Sequence, residues 1–215
     1  MTGIELAALR VQIVHETNTS EYNHRLFLNS DVAREFPHTQ DNEQLQYARF
    51  KLAVARVLKP RTVYEVGVGW GISAQAFLSG HLKTRFYGID SCEMGVPPNK
   101  AVNYNPCLPC ETVASHDLKS FEHPHGEIDL LHIDGGHGLE HKADDIVKAI
   151  EARPEWLLVD DVHDVMVAAG TFAGLYKACA NSLQMLYFEN SHTGNLLIHT
   201  ARKAPEYRNL KVERY

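Results

Sequence analysis

The stretch Thr62–Ile72, TVYEVGVGWGI, limits what this chain can fold into more than any other part of it. A short run of Thr62, Val63 and Tyr64 leads to an acid, Glu65, and then to glycines at every second position, Gly67, Gly69 and Gly71. Apolar residues at helical spacing follow, at Ile72, Ala76 and Phe77. That order fits a buried strand, a tight glycine turn and the start of a helix. Only residues without a Cβ allow so sharp a turn together with close approach of a ligand to the backbone. A dinucleotide fingerprint, G-x-G-x-x-G, would need a third glycine where this chain has Ile72. An ordinary strand-to-helix turn of another α/β protein is the plainer alternative.

From Thr62 onward, strands and helices alternate. Strands are expected at Thr62–Val66, Arg85–Ile89, about Thr112–Ala114, Ile128–Ile133 and Trp156–Val159. Helices are expected at Ile72 to Leu82, Leu139 to Ala152 and Val165 to Ala180. Two last strands, Gln184–Phe188 and Asn195–Ala201, face each other across a polar turn and read as an antiparallel pair. Ahead of the glycine turn, helical spacing runs over Ile4–His15, and Thr17–Glu21 reads as a loop. A short helix is expected at Asp31–Phe36, and a longer one at Asn42–Lys59 with Asp41 as its cap and Pro60 as its stop. The pattern predicts an α/β fold: a Rossmann-like, doubly wound sheet, mostly parallel, with a C-terminal antiparallel hairpin and N-terminal helices in front. Residues 1–60 are read as a helical lid or acceptor segment and 61–215 as the core of one compact unit. Gln44, Gln46, Tyr47 and Arg49 are the lid residues singled out, and Tyr22, His24 and Arg25 are weaker acceptor contacts.

A length of 215 residues suffices for one such domain with a sizeable core. The formal net charge of -6 offers no basic excess to neutralise phosphates, which argues against a nucleic-acid partner. No apolar run is long enough to span a bilayer, and Glu5 and Arg10 interrupt the N-terminal apolar pattern, so no signal peptide is read and a cytoplasmic location is expected. Cys92, Cys107, Cys110 and Cys179 are too few and too unevenly spaced for a disulfide framework. Cys107 and Cys110, with His123 and His125 nearby, form a minority zinc reading beside that of a reduced loop pair.

Ligands of open α/β sheets sit at the carboxyl ends of the strands, so the residues that close each strand matter most. Asp90 closes the second strand, about 20 residues beyond the glycine turn, the offset of an acid that accepts from ribose hydroxyls. Ser115, His116 and Asp117 follow the third; a helix cap is the plain reading of Ser115 or Asp117. Asp134, Gly135, Gly136 and His137 follow the fourth, and Asp160 and Asp161 the fifth. Three carboxylates on adjacent strand ends repel one another if ionised and unpaired, and a hard divalent cation such as Mg2+ would relieve them. Strand termination by Asp134 and helix capping by one of the pair is the alternative. A hydroxyl beside such a cation needs a base, and neutral imidazole serves, which makes His137 the candidate general base and His163 a second.

The glycine turn and these strand ends resemble the class I S-adenosylmethionine-dependent methyltransferases, and in particular the metal-dependent O-methyltransferases of catechol and macrolide-sugar type. The acid-x-G-x-G-x-G pattern of Glu65, Gly67, Gly69 and Gly71 matches motif I of that family. The resemblance covers about Gln44 to Arg202. It implies S-adenosylmethionine (SAM) held by Glu65, Gly67, Gly69, Gly71, Asp90 and Asp134, with Ser115 and His116 against the adenine. It implies Mg2+ on Asp134, Asp160 and Asp161, and catalysis by His137 with Asp134. A histidine at position 137, as in the sugar-type enzymes, points to methyl transfer onto a hydroxyl of a sugar, catechol-like or other natural-product acceptor, with neighbouring oxygens chelating the cation. Pairing into a homodimer is expected by analogy alone. The alternatives are a metal-independent N- or O-methyltransferase of the same fold, an NAD-dependent oxidoreductase, disfavoured by Ile72, and a catalytically silent binding protein.

Overall fold

The computed structural model describes residues 1–26, 34, 37–90, 110–114, 127–178, 183–189 and 193–203. The expected helix at Asp31–Phe36 apart from Arg34, most of the loop Ser91–Cys110, and Ser115, His116, His123 and His125 lie outside them. Helix α1 (Gly3–Thr19) opens with a reciprocal capping box between Thr2 and Glu5. It runs past the expected end at His15, and there the hydroxyls of Thr17 and Thr19 bond back to the carbonyls of Ile13 and His15, at 2.8 and 2.9 Å. Helix α2 (Asn42–Leu58) ends with Lys59 in the left-handed region just before Pro60. Asp41 occupies the N-cap position without accepting the capping bond expected of it.

The strands are β1 (Thr62–Val66), β2 (Arg85–Asp90), β3 (Cys110–Ala114), β4 (Leu130–Ile133), β5 (Trp156–Val159), β6 (Gln184–Phe188) and β7 (Asn195–His199). Between them run α3 (Ile72–Gly80), α4 (Leu139–Glu151) and α5 (Val165–Lys177). They form one sheet in the order β3-β2-β1-β4-β5-β7-β6. β1 to β5 pair in parallel, and β7 is antiparallel to both β5 and β6, as the sequence pattern predicts. The strand order reverses between β1 and β4, which opens a crevice at their carboxyl ends. Among the described residues no helix is long and apolar enough to cross a membrane.

Period-two alternation sorts the core. Val63, Leu130, Trp156 and Leu158 face the layer of α1, α2 and α3, packing with Ile13, Phe50, Val54 and Phe77. Tyr64, Val66, Leu131, Ile133, Leu157 and Val159 face the other way, toward Ile146, Ile150 and Leu175 of α4 and α5. The same alternation places Glu65, His132 and Asp160 on the α2 side, and Glu65 and His132 are direct cross-strand partners. Three polar side chains therefore end up buried beneath α2, which bears on everything that follows.

Candidate functional site

A cavity of about 410 Å³ lies at the carboxyl ends of β1, β2, β4 and β5. That is within the usual size range for a small-molecule site. Gly67, Gly69 and Trp70 of the glycine turn, Asp90, the Asp134–His137 loop, Asp161 and Thr193 line it, and α2 adds Gln44 and Tyr47. Gly67 holds φ +86°, and a Cβ there would lie 2.4 Å from the Asp134 carbonyl oxygen, so the two strand-end loops touch only because position 67 is glycine. The Gly69 N–H donates to Asp90 Oδ2 at 2.7 Å, which clips the turn to the end of β2. From α4, the buried Lys142 donates its Nζ hydrogen to the Gly135 carbonyl at 2.6 Å and fixes the loop that carries Asp134 and His137.

The acids expected to share a cation diverge. Asp161 sits at φ +60°, and this left-handed backbone turns its side chain into the cavity, away from that of Asp160. There the Asp161 carboxylate lies 3.2 Å from His137 Nε2. Asp134 accepts a hydrogen bond from the Tyr47 hydroxyl at 2.6 Å. Asp160 is fully buried and does not line the cavity. Its Oδ1 accepts from the Asp161 N–H at 2.9 Å and from the Thr193 hydroxyl at 2.8 Å; its Oδ2 accepts from Lys51 Nζ at 2.6 Å. Glu65 is also fully buried, bonded to His132 Nδ1 at 2.5 Å, and stands behind the cavity wall rather than on it.

Asp134, Asp160 and Asp161 thus do not bring three ligand atoms within 4.8 Å of one another in this geometry. Among the described residues, the one group that brings three ligand atoms within 4.8 Å of one another is Glu65, His132 and Asp134. That set fits Mg2+ poorly: one donor is an imidazole nitrogen, and Glu65 and His132 are closed to the water that Mg2+ retains.

The electrostatics follow from burial and neighbours. Burial, with the Asp160 and Asp161 charges added, pushes the Asp134 carboxyl up to about 8. Asp161 is raised by burial and by Asp160. Burial would raise Asp160 too, but the charges of Lys51 and His132 outweigh it and hold this carboxyl below the usual range. Burial and Lys51 act to lower His132, yet Glu65 and Asp160 prevail, and its imidazole is raised. Tyr47 is lifted well above the ordinary phenol value, first by burial and then by Asp134.

Of the residues expected at the site, Gly67, Gly69, Asp90, Asp134, His137 and Asp161 do line the cavity, while Gly71 caps α3 behind it. Ser115, His116 and the Cys107 thiol lie outside the described residues. Gln46 is exposed and Arg49 donates to the Tyr22 carbonyl at 3.1 Å, so of the lid residues only Gln44 and Tyr47 reach the cavity. Tyr22, His24 and Arg25 do not: His24 is buried against the Thr39 carbonyl, and Arg25 donates to Asn42. His163 turns away to the Tyr187 hydroxyl at 2.6 Å. Sequence reasoning missed Lys51, His132, Lys142 and Thr193. Two of them carried a signal: Lys51 interrupts the apolar face of α2, and His132 interrupts the apolar run of β4.

No protein-family model matches the chain, and no curated protein sequence does. Solved structures do match. The O-methyltransferase TomG from Streptomyces achromogenes, involved in tomaymycin synthesis and solved with SAM, is 15% identical over 88% of this chain and 95% of its own, with a TM-score of 0.57. An O-methyltransferase from Bacillus cereus solved with S-adenosylhomocysteine (SAH) is 13% identical over 89% of this chain and 99% of its own, at a TM-score of 0.56. The TDP-rhamnose 3'-O-methyltransferase CalS11 of calicheamicin biosynthesis is 12% identical over 93% and 96%, at 0.53. The chain shares the fold of these methyltransferase structures.

Proposed function

We propose that the chain is a SAM-dependent O-methyltransferase acting on a hydroxyl of a small molecule. One observation carries this reading: a clipped glycine turn, a carboxylate held by Tyr47 and a histidine–aspartate pair all open into one cavity. The fold likeness to O-methyltransferases supports it. The sulfonium supplies an activated methyl group, so the protein has only to align an oxygen with it, take a proton and exclude water. Gly67 and Gly69 admit the donor close to the backbone, and Asp90 at the end of β2 is placed for ribose hydroxyls. His137 is the general base, and Asp161 at 3.2 Å orients its ring and stabilises the imidazolium that forms. As the oxygen–methyl bond forms, the sulfur–methyl bond breaks and the hydroxyl proton passes to His137. Gln44 and Tyr47 on the cavity wall support an acceptor-facing role for the 1–60 segment.

Calorimetric titration with SAM, with NAD as the control, tests the donor: micromolar SAM binding without NAD binding is expected. Incubation with SAM and a panel of hydroxylated sugars and phenols, followed by mass spectrometry, tests the transfer. His137→Ala is then expected to lower kcat by roughly 10²–10⁴-fold, the usual range for a general base, while leaving SAM affinity unchanged. A SAM-silent protein that binds NAD would overturn the assignment.

A further inference from the structure

We propose that Lys51 is a built-in counter-cation that replaces a divalent ion at the strand ends, so that this protein has no divalent-metal requirement. The inference builds on the methyl-transfer reading but concerns the carboxylates alone. Lys51 projects from the middle of α2 into the fully buried space over the ends of β4 and β5. Its ammonium lies 2.6 Å from Asp160 Oδ2, 2.5 Å from Asn195 Oδ1 and 4.5 Å from the centroid of the Tyr47 ring. Two oxygens and a π face thus surround the charge.

Asp160 is equally committed. Both its oxygens are taken by Lys51, the Thr193 hydroxyl and the Asp161 N–H, with His132 Nε2 a further 3.7 Å contact. A cation on Asp160 would have to displace an ammonium already seated there. Glu65 is committed as well: its carboxylate is bonded to His132 Nδ1 at 2.5 Å, and a divalent ion would add positive charge beside an ammonium already seated in a buried place where isolated charge is costly. Asp134 and Asp161 remain, each engaged by another partner, Tyr47 and His137. The acceptor then meets no cation to chelate and needs no second oxygen beside the one that reacts.

Mn2+ titration followed by electron paramagnetic resonance, which counts the free ion, is the test, run on the protein alone and on the SAM-loaded protein. The wild type is expected to leave Mn2+ free in both. Lys51→Ala strips the ammonium from Asp160 and is expected to take up Mn2+ and to gain melting temperature with it, whereas Lys51→Arg, which keeps the charge, is not. One tightly bound Mn2+ per wild-type chain, lost in Asp160→Asn, overturns the proposal. So does a folded Lys51→Ala protein that ignores Mn2+. If Lys51→Ala does not fold, the wild-type titration decides alone. SAM binding is measured on the same wild-type sample. Absence of SAM binding with Mn2+ still free removes the methyl-transfer reading and leaves the Lys51 inference standing.

Discussion

At the scale of single residues, position 67 is the most exacting. A side chain there meets both a positive φ of 86° and the Asp134 carbonyl, with a Cβ 2.4 Å from it. Gly67→Ala is therefore expected to cost at least about 1–3 kcal/mol of stability and to pull the β1 and β4 loops apart, abolishing SAM binding in calorimetry. Asp134 sets a pH dependence. Its folded value of about 8 lies above the ordinary 3.8, so between these values the folded chain holds a proton that the unfolded chain has released. Stability accordingly falls as pH rises through that window and levels off above about 8. His132, also raised, acts in the same direction: its contribution is complete below the ordinary 6.5 and is lost as pH rises through its higher folded value. Asp160, depressed by Lys51, works the other way: its contribution is present above 3.8 and is lost as pH falls through its lower folded value. Melting temperatures taken between about pH 5 and pH 8 are thus expected to decline, and Asp134→Asn, which can still accept from Tyr47, is expected to flatten the decline.

At the scale of elements, α4 and α5 pack with almost no side-chain spacer at Gly174. A Cβ there would lie 2.6 Å from the Ala143 carbonyl and 2.7 Å from the Ile146 Cβ. Gly174→Ala is expected to force the two helices apart at about 1–3 kcal/mol, lowering the melting temperature while leaving SAM affinity intact, since this contact lies away from the cavity. Elements of this kind were legible in the sequence because their periodicity is local. The glycine turn, the strand spans and the terminal hairpin all follow from spacing within a dozen residues. The pairing of Glu65 with His132, by contrast, depends on β1 lying beside β4, and the capture of Asp160 depends on α2 crossing above both. Spacing along the chain carries no record of such neighbours. An acid at a strand end therefore reads as unpaired until the helix that pairs with it is in view. The left-handed backbone at Asp161 is similarly invisible, although it is what splits the Asp160–Asp161 pair into one buried and one cavity-facing carboxylate.

At the scale of the whole molecule, the two core layers meet at the cavity. Gln44 and Tyr47 reach it from the α2 side, while Lys142 of α4 fixes the Asp134–His137 loop from the opposite side of the sheet. A ligand in the crevice between β1 and β4 thus touches loops that both layers hold, and its binding energy is expected to appear as global stability rather than as local ordering. A ligand bound only by the folded state, at a hundredfold excess over its Kd, stabilises by about 2.7 kcal/mol. For a chain of this size, each kcal/mol raises Tm by roughly 2–4 °C, so saturating SAM is expected to raise it by about 5–10 °C in a single unfolding transition. SAH, which keeps the adenosine and lacks the positive sulfonium, is expected to give a smaller shift. If SAM binds with its sulfonium beside Asp134, the gap should widen as pH rises toward about 8 and this carboxyl ionises. Differential scanning fluorimetry with SAM, SAH and NAD across that range checks each point. Equal shifts for SAM and SAH at every pH would remove Asp134 from the donor site, and a shift with NAD alone would remove the donor itself.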